Sequence, residues 1–115
     1  MRAHILEKKK LKLTELPDPQ PSENDVLVEL AYIGINYADI LSRKGLYGWK
    51  PKSVYIPGME ASGTIIEVGR HVKSDRIGQR VMIGTQYGCY AEKIAVPSHQ
   101  AFAVISPFTS WDKVV

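Results

Sequence analysis

The side chains best placed for chemistry fall in two short stretches, Gly34-Ile35-Asn36-Tyr37-Ala38-Asp39 and Pro57-Gly58-Met59-Glu60-Ala61-Ser62-Gly63. In the second, small residues around Glu60 suggest backbone held close to another group, and Glu60 reads as a buried carboxylate that needs a partner. In the first, Asn36 can cap a helix with its side-chain oxygen and still offer its amide donors to a ligand. Between them, residues 46–57 carry Tyr47, Trp49 and Tyr55 with no helical or strand period. Loops of this kind, on a rigid scaffold, often line sites. The glycines at 58 and 63 precede a strand pattern and open no helix, so they do not form a phosphate loop. Cys89 is the only cysteine. It lies in an expected strand with no histidine beside it and reads as a small buried hydrophobe, not a nucleophile. His4, His71 and His99 are scattered and read as surface residues.

The elements that must position these residues are mostly β. Residues 3–6 and 11–16 form an expected hairpin with Lys8, Lys9 and Lys10 at its tip, and Leu11 and Leu13 alternate with Lys12 and Thr14 as in a half-buried strand. Three prolines at 17, 19 and 21 make a stiff connector, because each removes a backbone donor. After a turn at 22–25, residues 26–33 give the strongest strand in the chain. A helix of about two turns follows Asn36 and ends near Gly45, where a left-handed cap fits. Further strands are expected at 64–68, 79–83, 88–96 and 101–105, spaced as in a small barrel. Thr109 and Asp112 announce another helix. The fold class expected is mainly β with short helices, in a partly open barrel.

At 115 residues the chain is large enough for one core. Hydrophobic residues make up 44% and charged residues 23%, the composition of a globular protein and not of a disordered tail. The net charge of +3 is dispersed apart from the lysine run, and no aromatic residues interleave with that run, which argues against nucleic acid as a partner. No stretch of about 18 apolar residues suggests a membrane span, and the N-terminal apolar run is too short for a signal peptide. One cysteine excludes an internal disulfide and suits a reducing compartment, so a cytoplasmic location is expected.

The order of motifs is a hairpin, a strong strand, Asn36-Tyr37-Ala38-Asp39 on a short helix, Arg43-Lys44-Gly45-Leu46-Tyr47, Pro57-Gly58-Met59-Glu60, Ile77-Gly78-Gln79-Arg80-Val81 and Gly88-Cys89-Tyr90-Ala91-Glu92. This order resembles the N-terminal GroES-like catalytic domain of the zinc-independent medium-chain dehydrogenase/reductases. Within them it is most similar to the quinone oxidoreductase branch that includes zeta-crystallin and the synaptic vesicle membrane protein. The zinc alcohol dehydrogenases of this superfamily have cysteine at the position of Asn36 and histidine at that of Met59. Amide and thioether do not replace those zinc ligands, so no metal is expected.

The resemblance implies NADPH-dependent hydride transfer to a quinone or α,β-unsaturated carbonyl. In that reading Tyr47 is the donor to the substrate carbonyl or an aromatic wall of the cleft, and Asn36 fixes the nicotinamide ribose or the substrate. Tyr37 and Met59 pack by the cofactor. Asp39 and Glu60, whose counterparts in the metal enzymes lie behind the metal, take structural or capping roles. The chain holds no glycine-rich strand-turn-helix for a dinucleotide. Residues 1–108 therefore read as the catalytic domain, and 109–115 as the start of a helix leading to a nucleotide-binding domain that the sequence lacks. Such a piece alone is expected to be inactive and to expose apolar surface that favours self-association. In the full-length protein the resemblance implies a homodimer formed largely through the lacking domain. The competing reading is a stand-alone GroES-like barrel that engages proteins without catalysis, or a family member that has lost its activity.

Overall fold

The computed structural model describes residues 1–44 and 54–104. The expected Gly45 cap, residues 46–53 of the expected loop with Tyr47 among them, and the helix start at Thr109 lie outside the described residues; Tyr55, expected in that loop, is buried in a short strand.

Strands β1 (Arg2–Glu7) and β2 (Lys10–Glu15) form the expected hairpin, with Glu7 paired to Lys10. Its two-residue turn is Lys8-Lys9, at φ 49° and 64°. Positive φ at both turn positions matches the right-handed twist of the flanking strands, and here two solvated lysines adopt it. Strand β4 (Val54–Tyr55) pairs with β1 on its other side, giving a small sheet in the order β2-β1-β4.

The larger sheet is built on β3 (Asp25–Gly34), which lies between β5 (Glu60–Val68) and β7 (Lys93–Pro97). Strands β6 (Arg80–Gly84) and β8 (Ala101–Ala103) extend it, in the order β7-β3-β5-β6-β8. All the pairings are antiparallel. A bridge from Ala3 to Ala91 and a hydrogen bond from His4 N–H to Tyr90 O (2.8 Å) join the two sheets without closing them into a full barrel.

Val26, Val28, Ile65, Val81 and Cys89 are fully buried between the curved strands, with Ile83, Ile94 and Val96 around them. Each aliphatic side chain of this size contributes about 1.5–3 kcal/mol on burial. The far end of β3 leaves this core. Its pairing with β5 shifts register between Leu30 and Tyr32, and Tyr32 and Ile33 are exposed.

Three expectations about the strands are corrected. Leu13 is 63% exposed because it stands opposite the outward-facing His4, so the alternation read in β2 does not mark a buried face. Strand β5 begins at Glu60, not at 64, since its pairing with β3 resumes beyond the register shift at Gly63 and runs on to Gly34 opposite Glu60. The strand expected at 88–96 starts at Lys93: Gly88 has φ 111°, and the bends that follow carry Cys89 inward outside any strand.

Candidate active site

Helix α1 (Tyr37–Arg43) starts where the sequence places it, and Asn36 carries the first turn through Asp39 N–H to Asn36 O (3.0 Å). The cap runs opposite to the simple expectation. Asp39 Oδ2 reaches back and accepts the Asn36 backbone N–H at 3.0 Å, one half of a capping box. Asp39 also offsets the positive end of the helix. The same oxygen accepts the Tyr90 hydroxyl at 3.2 Å. Asp39 is therefore the buried carboxylate, 7% exposed, and it acts by capping.

Glu60 is exposed, contrary to the expectation that it is buried, and water can solvate it. It is the first residue of β5, at the rim and not within the core.

Asn36, Tyr37, Met59 and Glu60 meet at one open cleft of about 650 Å³. Met82, Thr85 and Phe102 form a further wall of it. Thr85 N–H donates to Met59 O at 2.9 Å, holding that wall to the Pro57–Glu60 stretch. Met82 and Phe102 pair across β6 and β8 and are 56% and 61% exposed. A large apolar surface rimmed by a few polar groups is the usual composition of a ligand site.

Met82, Thr85, Phe102 and Tyr90 were not singled out from the sequence. The run Val81-Met82-Ile83 is apolar throughout, so its period does not show which side chain faces outward. Tyr90 carried one signal, a hydroxyl beside a buried cysteine, which needs a partner when its ring is packed inside.

Electrostatics isolate the cysteine from chemistry. Burial first, then the Asp39 and Glu60 charges, push the Cys89 thiol up to about 12. Burial, the Asp39 charge and the hydrogen bond to Asp39 likewise push the Tyr90 hydroxyl up to about 12. Both stay protonated at neutral pH, Cys89 as a buried small side chain and Tyr90 as a hydrogen-bond donor.

The donor set does not suit zinc. The cleft presents an amide at Asn36 and a thioether at Met59, the one cysteine is buried as a neutral thiol, and no group of three or more His, Cys, Asp or Glu is found among the described residues. The cleft instead presents the apolar Met59, Met82 and Phe102 side chains beside the Asn36 amide.

Residues 22–106 match the profile of the alcohol dehydrogenase GroES-like domain. The chain belongs to this family. It is 36% identical over 102 residues to the human synaptic vesicle membrane protein VAT-1 homolog, a match covering 87% of the chain and 26% of that protein. A probable quinone oxidoreductase of Schizosaccharomyces pombe is 41% identical over 81 residues, 70% of the chain and 24% of that protein. The Escherichia coli quinone oxidoreductase, solved in complex with NADPH, superposes with a TM-score of 0.85 at 28% identity, covering 95% of the chain and 35% of that structure. The chain thus spans about a quarter of the length of the curated relatives it matches. This places it in the quinone oxidoreductase branch of the medium-chain dehydrogenase/reductases. Among the described residues, no helix is long and apolar enough to cross a membrane.

Proposed function

We propose that the chain is the catalytic domain of a cytosolic reductase that uses NADPH to reduce quinones or α,β-unsaturated carbonyls without a metal. The carrying observation is the convergence of Asn36, Tyr37 and Met59 on one cleft that the apolar Met82 and Phe102 also line. Similarity to quinone oxidoreductases, one of them solved with NADPH, supports it. The dinucleotide would be held mainly by a nucleotide-binding domain beyond this chain, in a longer protein that pairs as a homodimer.

When bound, the nicotinamide supplies the hydride. The residues of this chain provide the surroundings. The Asn36 amide orients the nicotinamide ribose or the substrate, while Tyr37 and Met59 pack by the cofactor. Met82 and Phe102 shield the reacting face from water, which strengthens every dipole inside the cleft. Negative charge grows on the acceptor carbonyl oxygen as hydride arrives. A hydroxyl aimed there lowers the barrier by about 2.7–4 kcal/mol. We assign that donor role to Tyr47 from the sequence. Asp39 acts behind Asn36 through the cap, and Glu60 is a charged rim.

In the full-length protein, Tyr47→Phe is expected to lower kcat by roughly 100-fold with a small change in KM for NADPH. Asn36→Ala is expected to act mainly on KM. Unchanged kinetics in both variants would remove these residues from the mechanism, and stoichiometric zinc in the active protein would overturn the metal-free reading.

A further inference from the structure

Tyr90 joins three pieces of the cleft that are distant in sequence. Its backbone N–H donates to Pro57 O at 2.9 Å, just before Met59. Its carbonyl accepts His4 N–H at 2.8 Å from the hairpin. Its hydroxyl donates to Asp39 Oδ2 at 3.2 Å, the oxygen that also holds the Asn36 backbone N–H at 3.0 Å. The ring packs on Gly58, which has φ 108°, and a Cβ there would come within 2.6 Å of Tyr90 Cδ1 and 2.9 Å of its backbone nitrogen. Glycine at 58 thus lets the tyrosine ring lie against the backbone that leads into Met59.

We propose that Tyr90 is a positioning residue: its hydroxyl, acting through the buried Asp39, sets where Asn36 and the start of α1 stand in the cleft relative to Met59. This rests on the cleft being the nicotinamide and substrate site. A helix of seven residues has little stability of its own, so its place depends on such tertiary ties. Asp39 is the tie, with one oxygen receiving both the helix cap and the tyrosine. Neither Asp39 nor Tyr90 need touch the ligand. Loss of the hydroxyl leaves the buried carboxylate one donor short, and the cap relaxes until water or another donor is found.

The test uses Tyr90→Phe, which removes one oxygen, beside Val96→Ala as a control that removes core volume in β7, away from the cleft. The first readout needs no ligand: the amide resonance of Asn36 and its hydrogen-exchange protection in the purified chain. Tyr90→Phe is expected to move that resonance and reduce protection about tenfold, while Val96→Ala leaves the resonance in place even as it lowers overall stability. Asp39→Ala should reproduce the shift, and the double variant should add little to it. The second readout is NADPH affinity in the full-length protein, expected to weaken about tenfold in Tyr90→Phe and to stay unchanged in Val96→Ala. An unmoved Asn36 resonance in Tyr90→Phe, or an equal shift in Val96→Ala, would overturn the positioning role. If the resonance moves as expected and no variant or parent binds NADPH, the tie stands and the reductase reading fails.

Discussion

Gly34 stands directly opposite Glu60 in the pairing of β3 with β5, and a Cβ on Gly34 would come within 2.6 Å of Glu60 Cγ and 2.7 Å of Cδ. The Glu60 side chain therefore lies across the place where a methyl group would be. The direction of this exposed carboxylate at the cleft rim is set by the absence of a side chain on the neighbouring strand.

Substitution at Gly34 and at Gly58 should accordingly differ. In Gly34→Ala the obstructing group is a flexible, exposed side chain that can swing away, so a loss within about 1 kcal/mol is expected. In Gly58→Ala the new methyl meets the backbone nitrogen of Tyr90 at a residue with φ 108°, and a loss of about 2–4 kcal/mol is expected. Urea unfolding midpoints measure both. Equal losses would show that the backbone at 58 yields more readily than its geometry implies.

Arg76 should matter more than its place in a surface turn suggests. It lies in a 3-10 turn, Ser74–Arg76, and its guanidinium donates to Gln79 Oε1 at 2.9 Å, Ser98 Oγ at 2.8 Å, Ser98 O at 3.0 Å and Ala101 O at 2.8 Å. This fork ties the turn to the start of β8, the strand that carries Phe102. Arg76→Lys keeps the charge but cannot reach all four acceptors. It is expected to lose about 1–3 kcal/mol and to raise hydrogen exchange in β8 before other strands. Uniform exchange across the sheet would contradict the local role.

Alkaline pH should destabilise the fold in two overlapping steps. The Cys89 thiol is raised from 9.0 to about 12 and the Tyr90 hydroxyl from 10.0 to about 12. Above pH 9 the unfolded chain releases the thiol proton while the native chain keeps it, so the unfolded state binds fewer protons and stability falls with rising pH. This contribution is complete below pH 9 and is lost by about 12, and Tyr90 adds to the slope from about pH 10. Cys89→Val should remove the part that begins near 9 and leave the part that begins near 10. In the folded parent, thiol reagents at neutral pH should react with Cys89 only as fast as the chain opens.

Exposed apolar side chains cluster around the cleft and the far end of β3: Tyr32, Ile33, Ile35, Tyr37, Ile40, Met82 and Phe102. We expect the 115-residue chain to self-associate as its concentration rises, through this surface. Light scattering across a hundredfold dilution would reveal it, and a monomer at every concentration would argue against it.

The fold was largely legible because its signals are local. The lysine tip, the proline connector, the Val-rich β3 and the Asn36 start of α1 each follow from residue types within a few positions. Misreadings arose where long-range geometry decides. Glu60 has the small neighbours of a buried position, yet its place at the first pair of β5 puts it at the rim. Leu13 looked half-buried by alternation, but the partner across the hairpin is the exposed His4. Asn36, Tyr37, Met59 and Glu60 do converge, as the order of their motifs implied. Tyr90 escaped notice because its contact with Asp39 spans 51 positions, which no local pattern encodes. Met82 and Phe102 escaped because they meet only through strand pairing.

Quinone-dependent oxidation of NADPH tests the central claim most directly, measured on this chain and on the longer protein proposed above. The expected result is turnover by that longer protein, none by the 115-residue chain alone, and turnover lowered roughly 100-fold in Tyr47→Phe. A full-length protein that neither binds nor oxidises NADPH or NADH, although folded, would contradict the reductase reading and direct attention to protein partners of the barrel.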